Sequence, residues 1–117
     1  MYFIKPYFKF NDKRGGITGI TQDMTWKEVN FITSKKGYQR GDHYHKRTLE
    51  CFYIIEGKIK VITENIKTKK KKRVMVKDND IFVIEPYEIH IFEIIKDSRW
   101  LNMLSKPMNL KNNDFFK

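Results

Sequence analysis

The chain of 117 residues is long enough for one domain with a modest hydrophobic core and too short for two. Apolar residues make up 40% of the chain, which excludes a disordered tail, and no run of about 18 apolar residues is present that would span a membrane. The net charge of +10 favours anionic partners in principle, but the lysines are spread along the whole chain.

The one dense basic run, residues 67–73, lies between two strand-like segments. In that place it is typical of a solvated hairpin tip that protects a sheet edge, with anion binding as the alternative. No aromatic residues that stack on bases are interleaved with it, so we do not expect nucleic acid as a partner. The single cysteine, Cys51, cannot form an internal disulfide, and we expect a cytoplasmic protein.

Short β-rich segments bounded by turn residues follow one another, and no apolar helical period lasts three turns. The predicted strands are residues 2–10, 17–21, 29–33, 48–56, 58–65, 74–76, 81–84, 90–95 and 100–104. Many short strands with frequent turns predict an all-β sandwich or barrel. We expect one domain over residues 1–117, with its core at 10–104 and a polar tail at 105–117.

Two histidines that alternate along the chain, His43 and His45, are followed five residues later by Glu50. On a strand, alternate side chains share a face, so both imidazoles point the same way. Glu50 directly precedes the apolar run 51–55, and a carboxylate that enters a buried strand must be paired, hydrogen-bonded or metal-bound. Imidazole and carboxylate ligands together indicate a divalent transition metal such as zinc, iron, manganese or nickel, and not calcium.

The spacing of these residues resembles the first sequence motif of the cupin family. The matching positions are Gly37, His43, His45, Glu50 and Gly57. Residues 79–90 resemble the second cupin motif, and His90 stands where the family has its fourth metal ligand. The resemblance covers residues 10–104 and implies a single-domain cupin, which is a jelly-roll barrel or double-stranded β-helix. It also implies one divalent transition-metal ion, held by the two histidines, Glu50 and His90.

Two further stretches resemble the nucleotide-sugar cupins: dTDP-4-keto-6-deoxyhexose 3,5-epimerases, 3,4-ketoisomerases and the cupin domains of capsule-polysaccharide enzymes. Residues 10–15 resemble their Phe-x-Asp-x-Arg-Gly opening, and residues 40–43 resemble their Arg-Gly-x-His. The resemblance implies that Arg40, together with Arg14, binds the substrate's phosphates and that His43 transfers a proton. A forked guanidinium suits a pyrophosphate, and an imidazole suits proton transfer near neutral pH.

The predicted metal ligands indicate which of these groups of cupins the chain resembles most. The 3,5-epimerases usually have no histidine at the position of His45, and the 3,4-ketoisomerases usually lack a counterpart of Glu50. The chain therefore looks closest to the metal-binding cupin modules associated with capsule sugars. A metal-bound His43 is not a free base, and the sequence leaves open which role it takes, so both histidines are candidate catalytic residues. Tyr44 and Tyr87 are predicted to line a sugar-sized mouth.

The resemblance implies an isomerase or epimerase that acts on a nucleotide-linked keto-sugar in polysaccharide biosynthesis. Two alternatives stay open. One is a metal-dependent cupin that oxygenates or isomerises a small non-nucleotide substrate, and the other is a non-catalytic cupin that binds a sugar or an anion.

Two structural expectations accompany this function. Arg40 and His43 are three positions apart, so simple alternation would place them on opposite faces of a strand. A bulge at Gly41 would turn both inward. Residues 2–10 are apolar enough to form an N-terminal strand that pairs with a partner chain, which predicts a homodimer.

Overall fold

Nine strands and no helix make up the part of the chain that the structure, a computed structural model, describes: residues 1–109, 111 and 113–117. The strands are β1 (Tyr2–Ile4), β2 (Phe8–Asp12), β3 (Gly15–Gly19), β4 (Glu28–Ser34), β5 (Gln39–His43), β6 (Glu50–Asn65), β7 (Lys71–Lys77), β8 (Ile81–Ile84) and β9 (Glu88–Leu104). Within these residues no helix could cross a membrane. The predicted all-β class is confirmed, and positions 110 and 112 of the predicted tail lie outside the described residues.

Two antiparallel layers share the long strands β6 and β9. The first half of β6 pairs with β8 and the second half of β9, whereas its second half pairs with β7 and the first half of β9. β1 and β4 complete the first layer, and β5 completes the second beside β9. This arrangement is a jelly roll, in which strands that change layer close the sheet on itself.

Both long strands are continuous where the sequence predicted interruptions. The predicted strands 48–56 and 58–65 are joined in the single strand β6, and the predicted strands 90–95 and 100–104 are joined in β9. Gly57 was predicted to turn the chain, but it bends β6 instead, with a φ of +131° that an L-residue rarely adopts. A Cβ at Gly57 would lie closer than 3.0 Å to the Ser98 hydroxyl, so the glycine allows β6 and β9 to approach closely as they change layer.

Apolar side chains fill the space between the two layers. Phe52 of β6 packs on Phe92 and Trp100 of β9, with ring centroids 5.2 and 5.4 Å away. Each of these rings is almost fully buried, which stabilises the fold by roughly 2–3 kcal/mol per side chain. Cys51 points to the other face of β6, into a smaller cluster with Ile81. The thiol is therefore a packing residue.

Two further segments differ from the predictions. Residues 2–10 are not one strand, because the chain breaks around Pro6, which has no amide proton for a ladder. β2 and β3 then form a separate two-stranded hairpin. The basic run 67–73 is not wholly a hairpin tip, since its last three residues belong to β7. The turn between β6 and β7 is closed by the Asn65 side chain, which accepts the amides of Lys67 and Thr68 at 2.9 and 3.0 Å.

Candidate metal and substrate site

A cavity of about 300 Å³ opens between the two layers, where the apolar core ends. Its apolar wall includes Phe92 and Trp100, and its polar residues come from β4, β5, β6, β9 and the loop between β5 and β6. The polar and charged residues of the lining are Glu28, Asn30, Arg40, His43, His45, Glu50, His90 and Asn102. A largely apolar cavity with a few convergent polar groups is typical of a small-molecule site.

The four predicted metal ligands meet at one side of this cavity. One ligand atom from each of His43, His45, Glu50 and His90 lies within 4.8 Å of all the others. His43 is the last residue of β5 and pairs directly with His90 of β9. The register of the β5–β9 pairing shifts between Gly41 and His43. The bulge expected at Gly41 is therefore present, and Arg40 and His43 both line the cavity.

Hydrogen bonds to the backbone orient two of the imidazoles. The Nδ1–H of His90 donates to the carbonyl of Glu88 at 3.1 Å, and the Nδ1–H of His45 donates to the carbonyl of Asp114. In both rings Nε2 is left facing the cluster, where His45 Nε2 contacts the Glu50 carboxylate. The Nε2 atoms of His43 and His90 lie 3.1 Å apart. Fixing one ring nitrogen by a carbonyl is how proteins prepare the other as a metal ligand.

This donor set fits a four-coordinate transition metal. Tetrahedral bonds of about 2.05 Å to imidazole nitrogen place neighbouring donors about 3.3 Å apart, close to the observed Nε2–Nε2 spacing of 3.1 Å. His45, Glu50 and His90 are buried, so their donor atoms lie in a site with little water. Three imidazoles and one carboxylate suit zinc, iron, manganese or nickel.

The electrostatics of the cluster favour neutral imidazoles at two positions. Burial, together with the neighbouring His90 and His45, lowers the pKa of His43 to about 4, and burial also lowers the pKa of His90. Burial would lower the pKa of His45 as well, but its bond to Glu50 raises it. Burial would raise the pKa of Glu50, but the same bond to His45 lowers it. His43 and His90 are therefore unprotonated at neutral pH and have lone pairs available for a ligand.

A row of hydrogen-bonded polar side chains, which the sequence did not predict, crosses the cavity from Glu50. Asn102 Nδ2 donates to Glu50 Oε2 at 3.1 Å, and Asn30 Nδ2 donates to Asn102 Oδ1 at 3.1 Å. Asn30 also donates to Glu28 Oε2 at 2.8 Å, and Glu28 Oε1 accepts the Met108 amide at 3.1 Å. The alternation of polar and apolar residues in β4 was the only sequence signal for this row.

Arg40 lies where the cavity meets a second, outer cleft. Its Nε donates to the Ser34 hydroxyl at 2.7 Å and its guanidinium also donates to the Thr33 carbonyl at 2.9 Å. Ser34 in turn accepts the indole N–H of Trp100 at 3.0 Å. The outer cleft has a volume of about 400 Å³ and is lined by residues 33–35 and 38–40. Arg40 thus lines both the inner cavity and the outer cleft.

The other predicted substrate-binding residues lie outside the cavity. Arg14 is in the β2–β3 turn, where it pairs with Asp12 at 2.6 Å and remains largely exposed. Tyr44 and Tyr87 stack on each other, with centroids 6.4 Å apart, beyond the cavity lining. The three side chains lie outside the cavity lining, although Tyr44 stands between His43 and His45 in the chain and the Tyr87 amide donates to the His45 carbonyl at 2.7 Å. Their role in binding substrate stays a prediction.

Residues 114–116 cover the cluster, although the sequence predicted only a polar tail there. Phe115 stacks on the His43 ring with centroids 4.1 Å apart and lines the cavity. Phe116 forms a β-bridge with Tyr44, through two backbone hydrogen bonds of 2.9 and 3.0 Å. Asp114 is fully buried. Composition alone gave no signal for this packing.

A family assignment follows from comparison with known proteins. The sequence model of the family described as "Polysaccharide biosynthesis C-terminal domain" matches residues 10–108. The chain belongs to this family. No curated protein matches it significantly.

Solved structures that resemble this polysaccharide biosynthesis domain are distant in sequence and close in fold. An RmlC epimerase from Legionella pneumophila, in complex with dTDP-4-keto-L-rhamnose, is 17% identical with a TM-score of 0.77, over 93% of this chain and 68% of that one. A double mutant of the QdtA 3,4-ketoisomerase from Thermoanaerobacterium thermosaccharolyticum, in complex with TDP, is 21% identical with a TM-score of 0.77, over 98% and 85%. These likenesses confirm the predicted jelly-roll cupin fold.

The capsular polysaccharide assembling protein CapF from Staphylococcus aureus is also similar, at 18% identity and a TM-score of 0.72. The match covers 93% of this chain but only 33% of the CapF chain. The polysaccharide biosynthesis domain described here therefore spans about a third of CapF.

Proposed function

We propose that the chain is an isomerase or epimerase that acts on a nucleotide-linked keto-sugar in polysaccharide biosynthesis, with a divalent transition metal as cofactor. The observation that carries the proposal is the junction at Arg40. An inner cavity with the histidine cluster meets an outer cleft there. A volume of about 300 Å³, at the lower end for ligand pockets, suits one sugar ring, and the outer cleft suits the nucleoside. The family assignment supports polysaccharide biosynthesis as the context.

The metal would be held by His43, His45, Glu50 and His90, which fit it as described above. A bound divalent ion would supply a Lewis acid that polarises the keto oxygen and stabilises the enediolate formed when a neighbouring carbon loses its proton. In this arrangement His43 is a ligand, so the base must be another residue.

Glu28 is the residue that we assign as this base. Besides Arg40 and the four predicted ligands, it is the remaining ionisable side chain among the described residues that line the cavity. Its Oε2 is bonded to Asn30 and its Oε1 to the Met108 amide, so the carboxylate is held in place. A positioned carboxylate can take a proton from a carbon next to a ketone. Asn30 and Asn102 would bind the sugar hydroxyls, and Trp100, on the same face of β9 as Asn102, would exclude water beside them.

Nucleotide binding by wild type and Arg40→Ala is the experiment that tests the proposed substrate. Calorimetric titration with dTDP- and UDP-sugars should give binding that Arg40→Ala weakens by about 10- to 150-fold, which corresponds to about 1.5–3 kcal/mol for hydrogen bonds to a charged group. Arg99→Ala is the matched control, because Arg99 pairs with Glu56 at 3.5 Å and is more than half exposed. The proposal fails if wild type binds none of these ligands at millimolar concentration.

A second candidate function is supported by the small inner cavity alone. A metal-dependent cupin that oxygenates or isomerises a free sugar or another small molecule needs the inner cavity and not the outer cleft. Binding of such a molecule without any effect of Arg40→Ala would favour this function. Binding of a sugar or anion without turnover would instead favour a non-catalytic role.

We further propose that the protein is a cytoplasmic homodimer. The β1–β3 region exposes large apolar side chains that a single chain leaves uncovered. They are Tyr2, Phe3, Tyr7, Phe8, Phe10 and Ile17, with exposed fractions between 38% and 62%. Light scattering at high micromolar concentration should report a dimer, and Phe8→Glu with Phe10→Glu should shift it to a monomer. A wild-type monomer would refute the homodimer.

A further inference from the structure

The segment 114–116 contacts the histidine cluster through its backbone and its side chains. The carbonyl of Asp114 accepts the Nδ1–H of His45. The next residue, Phe115, stacks on the ring of His43. Phe116 then bridges to Tyr44, which lies between the two histidines. Three successive residues therefore fix the two rings of the His-x-His pair.

The Asp114 carboxylate anchors this segment to the loop that follows His45. It accepts the amides of Lys46 and Arg47 at 2.9 and 2.8 Å and the Thr48 hydroxyl at 2.9 Å. The aspartate is fully buried, so these bonds replace its hydration. Three hydrogen bonds consequently tie the loop between β5 and β6 to the segment 114–116.

We propose that residues 114–116 are a clasp: Asp114 is a positioning residue that aims His45 Nε2 at the metal, and Phe115 closes the site over His43. The inference rests on the proposed metal site and goes beyond it, because it assigns a role to residues that hold no ion. Carbonyl partners of metal-bound histidines typically change metal affinity by 10- to 100-fold when they are lost. A merely structural role for Asp114 would change stability and leave affinity unaltered.

The test is the affinity for Co²⁺, measured by competition with a chelator of known affinity. Asp114→Asn puts an amide N–H against backbone donors and should weaken Co²⁺ binding by about 10- to 100-fold. The matched control is Asp97→Asn, since Asp97 also accepts a backbone amide, that of Lys36 at 2.8 Å, but far along β9 from the cluster. This control should retain wild-type affinity.

Loss of stability is separated from loss of positioning by a second pair of variants. Thr48→Val removes one bond to Asp114 and keeps the side-chain shape, so its Co²⁺ affinity should fall between wild type and Asp114→Asn. If Asp114→Asn does not fold, this variant carries the test. Val76→Ala, in the buried core of β7, should lower the melting temperature without changing Co²⁺ affinity.

The rate at which a chelator extracts Co²⁺ tests whether Phe115 covers the site. Phe115→Ala should speed the extraction of Co²⁺ by excess chelator, whereas Phe31→Ala, an exposed ring on β4, should not. Wild-type Co²⁺ affinity in both Asp114→Asn and Thr48→Val, or unchanged extraction from Phe115→Ala, would overturn the clasp alone. A wild-type protein that binds no Co²⁺ would overturn the metal site and the clasp with it.

Discussion

Alanine in place of Gly41 tests whether the bulge in β5 creates the site. Gly41 has a φ of +91°, and a Cβ there would lie closer than 3.0 Å to the carbonyl oxygen of His90. The backbone conformation costs an L-residue about 1–3 kcal/mol, and the overlap with a backbone atom that cannot rotate away adds about 1–3 kcal/mol. Gly37 is the matched control, because its φ is +90° but a Cβ at Gly37 would meet no atom within 4 Å.

Urea unfolding of Gly41→Ala and Gly37→Ala measures the two contributions separately. Gly37→Ala should lose about 1–3 kcal/mol of unfolding free energy, and Gly41→Ala about 1–3 kcal/mol more. Because metal–ligand distances tolerate only about 0.2 Å, displacement of His43 from His90 should also abolish tight metal binding in Gly41→Ala alone. Equal stability and equal metal affinity of the two variants would refute the reasoning.

Three further predictions concern buried groups of the barrel. Asn102→Leu removes the donor to Glu50 Oε2 and should lower the free energy of unfolding by about 1–3 kcal/mol in urea titration; wild-type stability would contradict the bond. The Cys51 thiol, whose pKa burial raises to about 11, should not react with a thiol reagent at pH 8 until the protein is unfolded. The pKa of His43 is lowered to about 4, so the unfolded chain binds a proton at this histidine before the folded chain does as the pH falls below 6.5. Metal-free protein should therefore lose about 1 kcal/mol of stability between pH 7 and 4.5 in chemical denaturation, less than the full shift would give because solvent partly screens the half-buried ring. The raised pKa of His45 changes stability in the opposite sense, mainly above pH 6.5. A free energy of unfolding that stays constant between pH 7 and 4.5 would contradict the neutral state of His43.

The fold and the cluster were predictable because their signals are local. Period-two alternation and turn residues identify strands without knowledge of their partners. Three of the four predicted ligands lie within eight consecutive residues, 43–50, so the end of β5, the loop after it and the start of β6 keep them close. His90 needed the family resemblance, since its approach to His43 depends on the pairing of β5 with β9.

The remaining features depend on contacts between distant parts of the chain. The continuity of β6 through Gly57 follows from its pairing with β9, which brings Ser98 against the glycine. The row from Glu28 to Glu50 spans β4, β9 and β6, and each residue alone is an ordinary polar residue in a strand. Burial of Asp114 depends on hydrogen bonds to residues more than 60 positions earlier. The polar composition of the tail indicates nothing about these contacts.

Metal content is the measurement that tests the account most directly. Protein purified without added metal should contain close to one transition-metal ion per chain by elemental analysis, because three imidazoles and a buried carboxylate converge within 4.8 Å. The double variant His43→Ala with His45→Ala should contain none while it retains its β-sheet circular dichroism spectrum. Stoichiometric metal that survives this double substitution would contradict the site.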